Sequence, residues 1–188
     1  MKNILKEILS TSLYLLVVLC ITYLIIHYVG QRTQVLGSSM EGTLSNGDNL
    51  IVDKLSYRFR EPERFDIVVF PVDTEEAAGK KKKGEDTYYI KRIIGLPGEI
   101  IQIDEEGIIY INGDVLEEDY GREVIRDPGI AGEPVTLGEG EYFVLGDNRN
   151  NSEDSRVPKV GCISRSRIIG RAWIRIWPLN KLGILKHQ

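Results

Sequence analysis

Two histidines and two cysteines bound the chemistry open to this chain. His27 lies inside a long apolar run and His187 is the penultimate residue, so neither is placed to work in a cleft of a folded domain. That argues against a Ser-His-Asp triad and against His-rich zinc sites. Cys162 has no histidine to activate it, and an unassisted thiol is a poor nucleophile. The acidic stretch Asp147-Asn148-Arg149-Asn150-Asn151-Ser152-Glu153-Asp154 has the look of a calcium loop. It fails on Arg149 at the third position and on Ser152 at the sixth, where a glycine is required. No metal and no cofactor is expected.

A serine activated by a lysine remains. A lysine can act as general base when burial in a low dielectric disfavours its ammonium. Lys91 lies in the strand-like run Tyr88-Tyr89-Ile90-Lys91-Arg92-Ile93-Ile94. Alternation puts Tyr89 and Ile93 on its own face, a desolvating wall. The bland alternative is a lysine snorkelling at a strand edge. Lys54 is the rival, but Asp53 and Ser56 make its surroundings wetter. For the nucleophile, Gly37-Ser38-Ser39-Met40-Glu41-Gly42-Thr43-Leu44 reads as a loop permitting tight turns and close approach of another chain. Pattern alone does not single out Ser39 within it.

These residues need elements to hold them, and the pattern after residue 30 is β. Asn49–Val52, Asp66–Phe70, Glu99–Ile103 and Ile108–Ile111 are short runs rich in Val, Ile and Tyr, punctuated by Asn46-Gly47-Asp48, Leu96-Pro97-Gly98, Asn112-Gly113-Asp114 and Asp127-Pro128-Gly129. Many short strands with tight turns predict a mainly β fold, a sandwich or barrel of antiparallel sheets. Asn112-Gly113 between alternating apolar residues predicts a hairpin over 108–115. Residues 74–86, with Lys80–Lys83, read as a charged insertion that is either a solvated loop or a contact for anionic headgroups. Residues 121–140 read as Gly/Pro-rich loop or extended edge.

The first 30 residues are of another kind. Between Ile8 and Gln31 there is no Asp, Glu, Lys or Arg. That length matches the roughly 20 residues a helix needs to cross a bilayer. It exceeds the apolar core of a cleavable signal peptide, and Val29-Gly30-Gln31-Arg32-Thr33 makes a poor cleavage site. The expected organisation is a short cytoplasmic segment at 1–7, a transmembrane helix at 8–29 and an outer domain at 30–188. Lys2 and Lys6 before the span against Arg32 after it put the N-terminus in the cytoplasm. Cys20 within the span cannot pair with Cys162, so the outer domain must stand on its own core.

Three segments together resemble one family. Gly37–Leu44 resembles the Ser-Met-x-Pro-Thr-Leu box of bacterial type I signal peptidases. Tyr89-Ile90-Lys91-Arg92-Ile93-Ile94-Gly95-Leu96-Pro97-Gly98-Glu99 is similar to their lysine box. Gly146-Asp147-Asn148-Arg149-Asn150-Asn151-Ser152-Glu153-Asp154-Ser155-Arg156 resembles their Gly-Asp-Asn-x-x-x-Ser-x-Asp-Ser-Arg box, and Gly170-Arg171-Ala172 and Trp177-Pro178 also fit. The resemblance runs from the anchor to the C-terminus. It implies a coiled antiparallel β catalytic domain on a single anchor in the bacterial plasma membrane, close to the secretion translocon. Ser39 would be the nucleophile and Lys91 the general base. Ser152 would hydrogen-bond the lysine amine, Asp154 with Arg156 or Arg92 would brace the site, and the Ser39 N–H would serve the oxyanion hole. Two positions depart from the pattern: Gly42 stands where the family has Pro, and Gly37 where some members carry a hydroxyl.

The substrates implied are secretory preproteins cut after a small-x-small motif. A substrate strand adding between Gln34–Gly37 and Tyr88–Ile90 would meet Val35, Gly37, Met40, Leu44, Tyr89, Ile90 and Ile93 as pocket walls. Two other readings compete: a self-cleaving repressor-type Ser/Lys protease, which lacks its DNA-binding domain here, and a single-pass surface binding module. No nucleic-acid partner is expected.

Overall fold

The computed structural model describes residues 2–24, 30–71 and 88–185. The charged insertion at 74–86, the last residues of the expected anchor at 25–29, and both histidines lie outside the described residues. One α-helix, α1 (Lys2–Leu24), opens the chain. At 23 residues it is about 34 Å long, enough for a bilayer core. None of its apolar window Lys6–Tyr23 is buried against the rest of the protein. It is long and apolar enough to cross a membrane.

Twelve short strands follow among the described residues: β1 (Gly30–Gln34), β2 (Asn49–Asp53), β3 (Ile67–Pro71), β4 (Tyr88–Gly95), β5 (Ile100–Ile103), β6 (Ile109–Ile111), β7 (Asp114–Val115), β8 (Val135–Thr136), β9 (Glu141–Leu145), β10 (Ile163–Ser164), β11 (Gly170–Trp177) and β12 (Gly183–Ile184). They form two antiparallel sheets. The larger runs β1-β2-β11-β3-β4-β9-β10 with β12 on β11, and the smaller runs β7-β6-β5-β8. The expected mainly antiparallel β fold is what forms, as open sheets and not as a closed barrel. Asn112-Gly113 makes the turn between β6 and β7, with Ile111 opposite Asp114. The 121–140 stretch is mostly irregular but pairs as an edge through β8, and it sends Ile125, Ala131 and Leu137 into the core.

Three apolar clusters hold the sheets, and β4 contributes to each: Ile90 to one with Val35, Met40 and Leu44, Ile93 to one with Phe70, Tyr142 and Val144, and Ile94 to one with Ile101, Ile103 and Phe143. Each fully buried side chain of this size stabilises by about 1.5–3 kcal/mol. β4 is therefore a rigid central strand. Its pairing sets up the functional region: β3 covers one edge from Tyr88 to Arg92, whereas β9 joins the other edge only from Arg92 onward. Along Tyr88–Lys91 that second side faces a groove, and β1, paired to β2 alone, forms the opposite bank.

Candidate active site

The groove has a volume of about 610 Å³ and is lined by Gln31–Met40, Tyr88–Lys91, Asn151 and Glu153. At its floor Lys91 Nζ donates a hydrogen bond to Ser39 Oγ at 2.7 Å. Lys91 is only 2% exposed, while Ser39 is half-buried with its hydroxyl toward the groove. Burial pushes the Lys91 ammonium down from its ordinary 10.5 to about 8, against the opposing pull of Asp154, Glu153 and Asp147. The Tyr89 ring lies 5.1 Å from Nζ and forms part of the desolvating wall. Lys54 does not line the groove.

Ser39 sits on a tight turn between β1 and β2. Met40 and Leu44 anchor that turn in the core at 1% exposure each, and the Leu44 N–H donates to the Met40 carbonyl at 2.8 Å. Gly42 adopts φ +114, left-handed backbone that a proline, fixed near −65°, cannot take. Glycine at this position is thus built into the turn's own path. Gly37 has no side chain to donate, and its N–H is already engaged, donating to Asn46 Oδ1 at 3.0 Å.

The segment after β9 clamps the serine turn from the other side. The Asn148 N–H donates to the Ser39 carbonyl at 3.0 Å, Asn148 Nδ2 to the Ser38 carbonyl at 3.0 Å, and Asn151 Nδ2 to Ser38 Oγ at 2.8 Å. The close approach depends on Gly146: a Cβ there would lie 2.2 Å from Ser152 Oγ and 2.5 Å from the Ser39 carbonyl oxygen. With its carbonyl engaged, Ser39 keeps an N–H that donates to no acceptor among the described residues. That is a backbone donor beside the Ser39 hydroxyl.

The bracing charges sort into two separate pairs. Arg92, 1% exposed, grips Asp147 through Nε at 2.8 Å and Nη2 at 2.7 Å, also reaches Thr43 Oγ1 at 3.1 Å, and stacks 3.7 Å from the Tyr120 ring centroid. Asp154 receives Arg156 at 2.8 and 2.9 Å and the Gly146 N–H at 3.0 Å. Of the two arginines considered for Asp154, only Arg156 reaches it. Arg92 sits one strand position past Lys91 and meets the start of the loop instead.

Three other expectations meet a different geometry. Ser152 Oγ is buried and has no hydrogen-bond partner among the described residues; it packs into the hollow over Gly146 while the lysine bonds to Ser39. Leu44 and Ile93 do not line the groove; both are fully buried beneath it, in two different clusters. Val35, Gly37, Met40, Tyr89 and Ile90 do line it. Sequence reasoning passed over Asp147, Asn148, Asn151 and Ser38 as positioning residues. Their signal was membership of the quoted boxes, Ser38 in the first and Asp147, Asn148 and Asn151 in the third.

The family described as signal peptidase, peptidase S26, matches residues 8–177. The chain is similar to a protein named probable signal peptidase I-2 from Synechocystis sp., 43% identical over 84% of this chain and 68% of the relative. It is similar also to a signal peptidase I from Leptolyngbya laminosa, 42% identical over 84% of this chain and 74% of the relative. A crystal structure of a signal peptidase I from Enterococcus faecalis aligns at TM-score 0.42 and 32% identity, covering 60% of this chain and 97% of that one.

Proposed function

The chain belongs to the signal peptidase family, peptidase S26, and from that membership we propose that Ser39 and Lys91 form the dyad with which it removes signal peptides from preproteins. As a signal peptidase it is a serine endopeptidase, which sets aside the repressor-type and binding-module readings. The observation that carries the dyad is the 2.7 Å contact between a buried lysine and a serine hydroxyl at the floor of an open groove.

With Lys91 neutral, Nζ takes the proton of Ser39 Oγ as that oxygen attacks the scissile carbonyl. The Ser39 N–H stabilises the oxyanion of the tetrahedral intermediate. The ammonium then gives its proton to the leaving amine, and the acyl ester on Ser39 is hydrolysed by a water that the same amine deprotonates. Ser152, a buried hydroxyl beside the site, orients the amine when it is charged. Asp154–Arg156 and Arg92–Asp147 hold the loop that clamps the serine turn.

The preprotein lies in the groove in extended conformation between β1 and β4. Val35, Met40, Tyr89 and Ile90 leave room for small side chains one and three residues before the cut. α1 spans the bacterial plasma membrane once, with residues 1–7 cytoplasmic and the domain from 30 onward outside, near the lipid surface and the translocon. The test is incubation of the full chain in detergent with a preprotein, beside Ser39→Ala and Lys91→Ala. Each variant should lose nearly all cleavage while staying folded, since the two groups act as a unit. Cleavage by Ser39→Ala at the wild-type rate rules the mechanism out.

A further inference from the structure

Asp154, Glu153 and Asp147 favour the Lys91 ammonium, and two of the three are paired with arginines. Asp147 is held by Arg92 at 2.7 Å and Asp154 by Arg156 at 2.8 Å. Glu153 has no cation within ion-pair distance among the described residues; its Oε2 accepts a hydrogen bond from the Tyr89 hydroxyl at 2.7 Å. The Tyr89 ring in turn lies 5.1 Å from Lys91 Nζ. Glu153 and Tyr89 both line the groove, one from the loop after β9 and the other from β4. The hydrogen bond therefore joins two elements that are 64 residues apart across the lip of the site, with an exposed carboxylate at the outer end and the catalytic lysine at the inner end.

We propose that Glu153 is a positioning residue: through the Tyr89 hydroxyl it steadies the ring that walls the pocket beside Lys91, and it sets a carboxylate with no ion-pair partner among the described residues at the lip of the site. The inference rests on Ser39 and Lys91 being the dyad. It has two separable parts, position and charge. The Tyr89 ring packs on Phe70 at 5.7 Å and against the cluster beneath it, and the Glu153 bond adds a hold on its hydroxyl end at the groove. Losing that bond loosens the groove end of the ring, so the hydrogen bond acts on the choice of side chain before the cut. The charge acts on the lysine. An anion nearby favours the ammonium, so its removal makes Lys91 easier to deprotonate. Asp147 and Asp154 face Lys91 as well, but each has its arginine, and Glu153 is the one charge of the three that salt can screen from solvent.

The experiment uses the full chain in detergent with two peptides, Ala or Val one residue before the cut, and reads kcat/KM against pH. Glu153→Gln keeps an acceptor for the tyrosine hydroxyl but no charge. It should hold the wild-type Ala-to-Val ratio, while its midpoint falls and activity on the acid limb rises about two- to threefold. Tyr89→Phe keeps the ring and the charge but not the bond. It should keep an acid limb close to wild type and lower the Ala-to-Val ratio by about fivefold or more. Glu153→Ala should do both. Added salt should move the wild-type midpoint down and leave that of Glu153→Gln in place. An unchanged midpoint in Glu153→Gln together with an unchanged ratio in Tyr89→Phe overturns the inference. Because every variant retains Ser39 and Lys91, those outcomes are read only on enzymes that cut. Failure of the wild type to cut in a Ser39-dependent way would instead overturn the dyad itself.

Discussion

Lys91 is 2% exposed and its ammonium is pushed from 10.5 to about 8, chiefly by burial, so the folded state carries the cost of holding a lysine that prefers to be neutral. A depressed lysine destabilises the fold fully below pH 8, where both states are charged. The penalty fades between pH 8 and 10.5 and is gone above, where both are neutral. A shift of this size corresponds to about 3 kcal/mol. Lys91→Met should therefore be inactive and more stable than wild type at pH 7 by up to about 3 kcal/mol, the gain shrinking as pH rises to 10, read by urea unfolding in detergent. Equal stability at pH 7 would count against the buried, strained lysine. Activity has the mirror-image dependence: it rises with pH through about 8, and Lys91→Arg should show none at any pH, since guanidinium keeps its proton. Ser152 Oγ makes no hydrogen bond among the described residues, so the bond proposed for it forms only to the charged amine. Such a bond contributes about 1.5–3 kcal/mol, and Ser152→Ala should slow cleavage by about ten- to a hundredfold without abolishing it. At this scale Lys91 was legible as a lysine inside a strand, but Ser39 became visible only through the resemblance of its box. The partner of Arg92 was not legible at all, because Asp147 stands 55 residues away and only the fold brings the two together.

Strands that alternate announce themselves, and β2, β3, β5 and β6 fall where the apolar runs put them. β1 does not: Gly-Gln-Arg-Thr-Gln has no buried face to mark it, and it is a strand because β2 offers it an edge. Simple alternation also misleads on β4, which is buried from Ile90 to Gly95 on both faces. That is why Ile93, assigned to the pocket from its shared face with Lys91, belongs to the core under it. The walls that remain are bulky, and the pocket should discriminate on size. Replacing the Ala one residue before the cut by Leu should lower the cleavage rate by about ten- to two-hundredfold, and likewise for the residue three before. Mapping the cut by mass spectrometry guards against a shifted site. Undiminished cleavage at the same bond in either case rules out the extended pose between β1 and β4.

The groove's distance from the anchor is set by chain length alone. From Leu24 at the end of α1 to Gly30 at the start of β1 there are six peptide steps, which span at most about 20 Å. β1 is itself one bank of the groove, so with α1 in the bilayer, as proposed, the site is tethered close to the membrane surface. A signal peptide held in the same bilayer presents its cleavage site in that narrow zone, and two reactants confined to it meet at high effective concentration. A soluble peptide gains nothing from the tether. Inserting a helical (EAAAK) spacer of about 20 residues between 29 and 30 should lift the groove by about 30 Å. Cleavage of a membrane-inserted preprotein should then fall at least tenfold, while kcat/KM for a short soluble peptide stays at the wild-type value. A parallel loss on both substrates would mean that the insertion had disturbed β1. Equal retention on both would mean that the groove does not work at the membrane surface.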